Sequence, residues 1–298
     1  MRLRADRFEV YLILASVIWG TSFVANKIGV EQVDPFYFSI LRFLIATPAL
    51  MFVAYLFSDF DLRIFRDKVI WFLGALNASG LCLQNVGMTT TTATNSVLLI
   101  DINVIFVAII ASLVLKETIT RFTVLGLTIG LVGVSIVSTG GDLGRLFDGS
   151  LTGNLLVFMA GIVWAFYIVY QKKSLAKYPD VIMMTSALAM TTTVACLPMS
   201  LLFANSYFLP MEGLLTAAYL GLVCTGGAFL LYMAGLKGKG ATESTIILLL
   251  EIVFAMLFAF LLLREVPTLF TAAGGAMIVA AIVLVSLYEN NGKRNREA

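Results

Sequence analysis

The sequence predicts an all-α integral membrane protein of ten transmembrane helices, arranged as two inverted five-helix repeats with both termini on the cytoplasmic side. Three observations predict it: an apolar composition, an internal duplication and a one-sided distribution of basic residues. The chain has 298 residues, 60% of them hydrophobic and 13% charged, with a mean hydropathy of +0.96. So little polar surface does not cover a water-soluble globule. A bilayer offers backbone groups no hydrogen-bond partner, which leaves helices or closed barrels. The apolar runs are helix-length and lack the alternation of barrel strands.

The duplication is legible by eye. The stretch ATNSVLLIDINVIFVAIIASLVLKETITRFTVLG, from Ala93, returns from Ala241 as ATESTIILLLEIVFAMLFAFLLLREVPTLFTAAG without a gap. Glu117 falls on Glu265, a shift of 148 residues (265 − 117). At that shift Thr94, Ser96, Phe106, Thr120, Thr123, Gly126 and Ser138 each meet the same residue type. Apolar matches arise by chance in such a chain, but polar matches in one register do not. Nearer the start of each copy, Trp19 meets Trp164 and Lys27 meets Lys172 at a shift of 145 (164 − 19), and a VDP turn meets a YPD turn. The chain therefore divides into a first repeat, 1–140, a linker, 141–150, and a second repeat, 151–298.

The spans follow in order. Span 1 covers about 10–30, behind Arg2, Arg4 and Arg7; it is long for a signal-peptide core and continues through Trp19, Asn26 and Lys27 with no small-x-small cleavage site worth defending. The turn at Asp34-Pro35 opens span 2, about 35–57, and a charged loop then precedes span 3, about 69–88. Thr89 to Thr92 lead into span 4, about 93–115, and span 5 covers about 122–138. Beyond the Gly/Asp-rich linker lie spans 6 to 10, at about 151–170, 181–204, 212–236, 241–263 and 268–288. Each has roughly the 17–25 residues that a hydrocarbon core of about 30 Å requires. An odd number of spans per repeat turns the second copy over in the membrane.

Basic residues test that orientation independently. With the N-terminus inside, the inner segments hold Arg2, Arg4, Arg7, Arg63, Arg66, Lys68, Lys116, Arg121, Lys172, Lys173, Lys177, Lys237, Lys239, Lys293, Arg294 and Arg296. The outer segments hold Lys27, Arg145 and Arg264, and Arg42 lies within a span. Such a bias places both termini in the cytoplasm and the chain in the plasma membrane. Two inverted copies around a central site are a physical device for alternating access.

Ionisable groups inside spans are costly and mark function or pairing. At about 1.5 Å per residue, Asp101 is roughly 12 Å deep in span 4 and Arg42 roughly 10 Å deep in span 2, both from outside. They are placed to pair, either as a structural ion pair or as a substrate site. Glu251, about ten residues into span 9, lies near the midplane, and its repeat mate is Asn103 (251 − 148). Ser244 with Glu251, and Ser96 with Asn103, are spaced to share a helix face and form a polar stripe in each copy. With no opposing base at its depth, Glu251 reads as a site for proton coupling or a cationic group, or as a protonated carboxyl bonded between helices. Asn77, in span 3, is near its level and within reach as a hydrogen-bond partner.

Other residues carry paired readings too. Gln84 and the threonines after it line an exit path or solvate a turn. Trp19 and Trp164 lie mid-span, away from interfacial belts, so they pack between helices or wall a cavity. Tyr232, with Tyr167 and Tyr170, is a weaker case of the same kind. Gly126, Gly130, Gly133, Gly274 and Gly275 allow helices to approach closely. Cys82, Cys196 and Cys224 lack metal or redox spacing, so no disulfide is expected, and histidine is absent. No nucleotide-binding loop, metal-ligand set or nucleophile with its base is present, so the chain is expected to be no enzyme and to use no cofactor or metal. Its expected partners are a small-molecule substrate and the lipid bilayer, not nucleic acid, and it is expected to act as a monomer.

The chain resembles the drug/metabolite transporter superfamily, specifically its EamA type. The resemblance rests on WGTSF from Trp19, on Arg42 within LRFLIA, on the runs LVLKE ending at Glu117 and LLLRE ending at Glu265, and on the glycine-containing helix after each run. It covers nearly the whole chain, twice. It implies a ten-helix inverted-repeat bundle whose cavity is built mainly by spans 1, 3 and 4 and their mates 6, 8 and 9. It also implies export of amino acids, related metabolites or drugs. One departure matters: Val104 and Ile252 stand where family members often carry proline, so the helix kinks attached to that proline are open to question.

Overall fold

A computed structural model describes residues 6–91, 93–142, 144, 150–263 and 268–297. Arg2, Arg4, Arg145, Arg264 and Glu265 lie outside the described residues, as does most of the 141–150 linker, and so do the side chains of Lys293, Arg294 and Arg296. The described residues form helices and connecting turns, without a strand.

The helices are α1 (Arg7–Trp19), α2 (Ser22–Gln32), α3 (Pro35–Phe57), α4 (Lys68–Met88), α5 (Ala93–Asp101), α6 (Asn103–Val114) and α7 (Arg121–Thr139). There follow α8 (Leu151–Lys177), α9 (Val181–Phe203), α10 (Met211–Tyr219), α11 (Ala228–Gly238), α12 (Ala241–Leu248), α13 (Leu250–Leu263) and α14 (Leu269–Glu297). A π-helical segment, Leu220–Gly227, joins α10 to α11.

Of the ten spans expected, seven helical stretches among the described residues are long and apolar enough to cross a membrane. Two shorter apolar helices, Arg121–Val137 and Ala272–Tyr288, accompany them. The remaining stretch is divided at Leu249 into helices of 8 and 14 residues. Large apolar side chains such as Phe52, Leu113 and Leu202 stand exposed on the outside of the bundle, as contact with lipid tails rather than water requires.

Short-range chemistry sets the helix ends. Asp34 caps α3 by accepting the backbone N–H groups of Phe36 and Tyr37, with Pro35 in the first turn. Asp180 caps α9 in the same way through Ile182 and Met183. Lys27 Nζ donates to the Met88 carbonyl at 2.8 Å, at the end of α4. Lys172 Nζ donates to the Leu236 carbonyl at 2.7 Å, near the end of α11. Helices α3 and α9 pack together, and their Thr47 and Thr193 hydroxyls meet at 2.7 Å.

The bundle end where α1 begins is closed by buried charge. The Lys239 ammonium, with no solvent exposure, lies 2.7 Å from Glu9, 2.7 Å from Glu243 and 3.1 Å from Asp6. Glu117 accepts from the backbone N–H groups of Ala241 and Thr242 and from the Thr242 hydroxyl, capping α12 from beyond the end of α6.

Candidate functional site

Four interruptions of helical geometry meet at the centre of the bundle. Between α1 and α2 the chain breaks at Gly20-Thr21, where the Thr21 hydroxyl donates to the Ile18 carbonyl at 2.7 Å and competes with the backbone ladder. Gly20 is needed there because a Cβ would stand 2.8 Å from the Glu251 carbonyl oxygen. Span 4 breaks at Ile102 and span 9 at Leu249, each through tightened bonds: Ile105 N–H to Ile102 at 3.1 Å, and Ile252 N–H to Leu249 at 3.2 Å. Both breaks form without proline, within three residues of Val104 and Ile252. The fourth interruption is the π-helical segment that carries Thr225. Single π turns recur at functional sites.

A cavity of about 150 Å³ lies among these interruptions. Nine of the residues singled out from the sequence line it: Arg42, Asp101 and Glu251, the amides of Asn77, Gln84 and Asn103, and the aromatic rings of Trp19, Trp164 and Tyr232. They arrive from eight helices, and the breaks present several of them. Asp101 ends α5 and Asn103 begins α6, while Glu251 stands in the first turn of α13.

The expected pairings are rearranged. The Arg42 Nε donates to Thr225 Oγ1 at 2.5 Å, and Arg42 forms no ion pair among the described residues. The expected partner, Asp101, lines the same cavity as Arg42 and Glu251 without an ion pair among the described residues. Glu251 is therefore not the cavity's one carboxyl: Asp101 lines it too. Asn77 Nδ2 donates to Thr192 Oγ1 on α9 at 3.1 Å rather than to Glu251. The polar stripe through Ser244 is also displaced. Ser244 bonds the Gly240 carbonyl at 2.7 Å, and Thr245 lines the cavity beside Glu251, because the break at Leu249 shifts the helical phase between them.

One wall is aromatic. The Trp19 and Tyr232 rings lie 5.3 Å apart, Phe229 and Tyr232 5.5 Å, and Tyr167 and Phe229 6.3 Å. The Trp19 indole donates to the Cys224 carbonyl at 3.0 Å, in the π segment, and Tyr232 donates to Gln171 Oε1 at 3.1 Å. Trp164, Tyr167 and Gln171 recur at helical spacing along one face of α8, the face turned to the cavity.

Thr225, Phe229, Asn26 and Gln171 were missed by sequence reasoning, and the last two carried a signal. Each stands seven residues after a matched tryptophan, so Asn26 and Gln171 are mates at the same shift of 145 (171 − 26). Nothing in the sequence marked Thr225, whose place depends on the π turn.

A cavity lined by buried ionisable groups inside a multi-pass helical membrane fold is the architecture of a membrane transport protein. The EamA-like transporter family model matches residues 7–139 and again 151–287. The chain belongs to the EamA-like transporter family, within the drug/metabolite transporter superfamily. It is similar to an uncharacterized transporter of Archaeoglobus fulgidus, 31% identical over 94% of this chain and 98% of the relative. A protein of Streptantibioticus cattleyicolor named as a probable terminal-alkyne amino-acid exporter is 25% identical over 92% of each chain. A solved crystal structure has the same fold, with a TM-score of 0.76 and 17% identity, over 97% of this chain and 99% of the other.

Proposed function

We propose that this protein is a secondary transporter exporting small organic solutes, amino acids or related metabolites, across the plasma membrane by alternating access. The observation that carries the reading is the convergence of Arg42, Asp101 and Glu251 on one cavity bounded by interrupted helices. Broken helices hold substrate and coupling-ion sites in other secondary transporters. The naming of one relative as an amino-acid exporter supports the substrate class and the direction.

In this reading ten spans form two inverted repeats, 1–140 and 151–298, with both termini cytoplasmic, and the chain works as a monomer without cofactor. Recurrent contacts support the duplication. Met88 and Leu236, which accept from Lys27 and Lys172, are mates at the shift of 148 (236 − 88). Asp34 and Asp180 cap equivalent helices, and Thr47 meets Thr193, both at a shift of 146 (180 − 34; 193 − 47).

The alternative reading, efflux of cationic drugs by proton coupling or exchange, is favoured by the two carboxyls. Size weighs against it: about 150 Å³ is below the roughly 300–1,000 Å³ typical of sites for drug-sized ligands. Counterflow in proteoliposomes tests the proposal. Saturable exchange of radiolabelled amino acids against an internal pool is the expected result; linear, unsaturable flux marks a channel and defeats it.

A further inference from the structure

The ionisable groups of the cavity are not paired with one another. Arg42 donates to a neutral hydroxyl, Thr225 Oγ1, while Asp101 and Glu251 line the same cavity. All three line the same space and none forms an ion pair among the described residues. Asp101 Oδ2 is buried without a hydrogen-bond partner among the described residues, and so are Asn26 Oδ1, Gln84 Oε1 and Gln171 Nε2. Unpartnered buried polar atoms are rare in folded proteins, and with Trp164 Nε1 and Tyr167 Oη six of them belong to residues lining one cavity.

Resting on the transport reading, we infer that the cavity binds a zwitterion, its carboxylate at Arg42 and its ammonium at Asp101 and Glu251, against the Trp19–Phe229–Tyr232 wall. A desolvated charge is costly unless paired. A ligand with one charge satisfies one pole and leaves the other uncompensated. A zwitterion satisfies both. An ammonium in the cavity can give a charge-assisted hydrogen bond to either carboxyl. The aromatic rings that line the cavity offer the ammonium a cation–π contribution. Arg42 offers a planar fork to a carboxylate, and its bond to Thr225 fixes the direction of that fork.

The test uses the purified full chain in nanodiscs and isothermal titration with L-leucine, L-phenylalanine, L-threonine and glycine betaine. Each amino acid is compared with its methyl ester, which keeps only the positive charge, and its N-acetyl derivative, which keeps only the negative. The expected result is that either derivative weakens binding about 30-fold or more. Arg42→Gln then removes the penalty for the ester but not for the N-acetyl compound. Asp101→Asn with Glu251→Gln does the reverse. The derivative comparison on the unaltered chain stands even if a variant misfolds. Esters or N-acetyl compounds binding within threefold of the parent overturn the zwitterion site, as does silence across the whole panel. Saturable counterflow of singly charged solutes would, in either case, leave the transport reading standing.

Discussion

Arg42, on α3, is held by Thr225 Oγ1 at 2.5 Å, and the residue that holds it comes from a π-helical turn 183 positions away. The turn displaces the backbone by one residue per extra bond, so an ordinary helix would aim Thr225 elsewhere. Thr225→Val removes the acceptor and keeps the shape. Solute affinity falls about 5- to 100-fold, the cost of leaving a buried donor unsatisfied, whereas Thr225→Ser retains it. Titration of both variants with a transported solute checks this; equal affinity in all three proteins refutes a positioning role.

The second prediction concerns proton coupling. With Asp101 and Glu251 facing the same cavity, Glu251→Gln abolishes accumulation driven by a pH gradient yet leaves exchange at saturating solute intact. Flux assays in proteoliposomes with and without a gradient decide it. Gradient-driven flux at the normal rate removes Glu251 from the coupling.

Lys239 anchors the end of the bundle where α1 begins, and Lys239→Met strands Glu9 and Glu243. The expected loss of unfolding free energy is about 3–5 kcal/mol. Burial works against the Lys239 charge, but Glu243 and Glu9 outweigh it and hold the ammonium above its ordinary range. A pKa raised by folding contributes stability that is fully present below the unfolded value of about 10.4 and is lost only as pH rises through the folded value above it. The stability difference between the two proteins therefore persists from neutral pH to about 10. Denaturant titrations along that range show it, and a difference that fades by pH 9 contradicts it.

Helices α7 and α14 meet through glycine. A Cβ on Gly133 would stand 2.7 Å from the Gly274 carbonyl oxygen, so the backbones must part to admit it. Gly133→Ala costs about 1–3 kcal/mol by overpacking. Gly227→Ala, whose nearest added contact is 3.9 Å, is the control. Thermal unfolding of the two variants side by side reveals whether the close approach is real.

How much of this was legible beforehand depends on how local the cause was. Helices α3 and α4 begin and end within a residue of their sequence expectation, because Asp34-Pro35 and Asp67 are local start signals. That nine polar or aromatic residues within apolar runs would stand out was legible too, and all nine line the cavity. A charge, amide or mid-span tryptophan in an apolar run stands out against lipid chemistry, whatever its neighbours are.

What stayed hidden was the pairing. By itself the sequence determined a membrane-spanning helical chain, its internal duplication and which polar groups are buried in it, since all three follow from composition, register and hydrogen-bond economy along one chain. Only the tertiary structure decided that Arg42 turns to Thr225, that Asp101 and Glu251 share one cavity, and that Thr245 rather than Ser244 reaches it. Those choices depend on where a helix breaks. A break at Leu249 or a π turn at Thr225 rotates every later side chain, and the forces that set it come from helices distant in sequence.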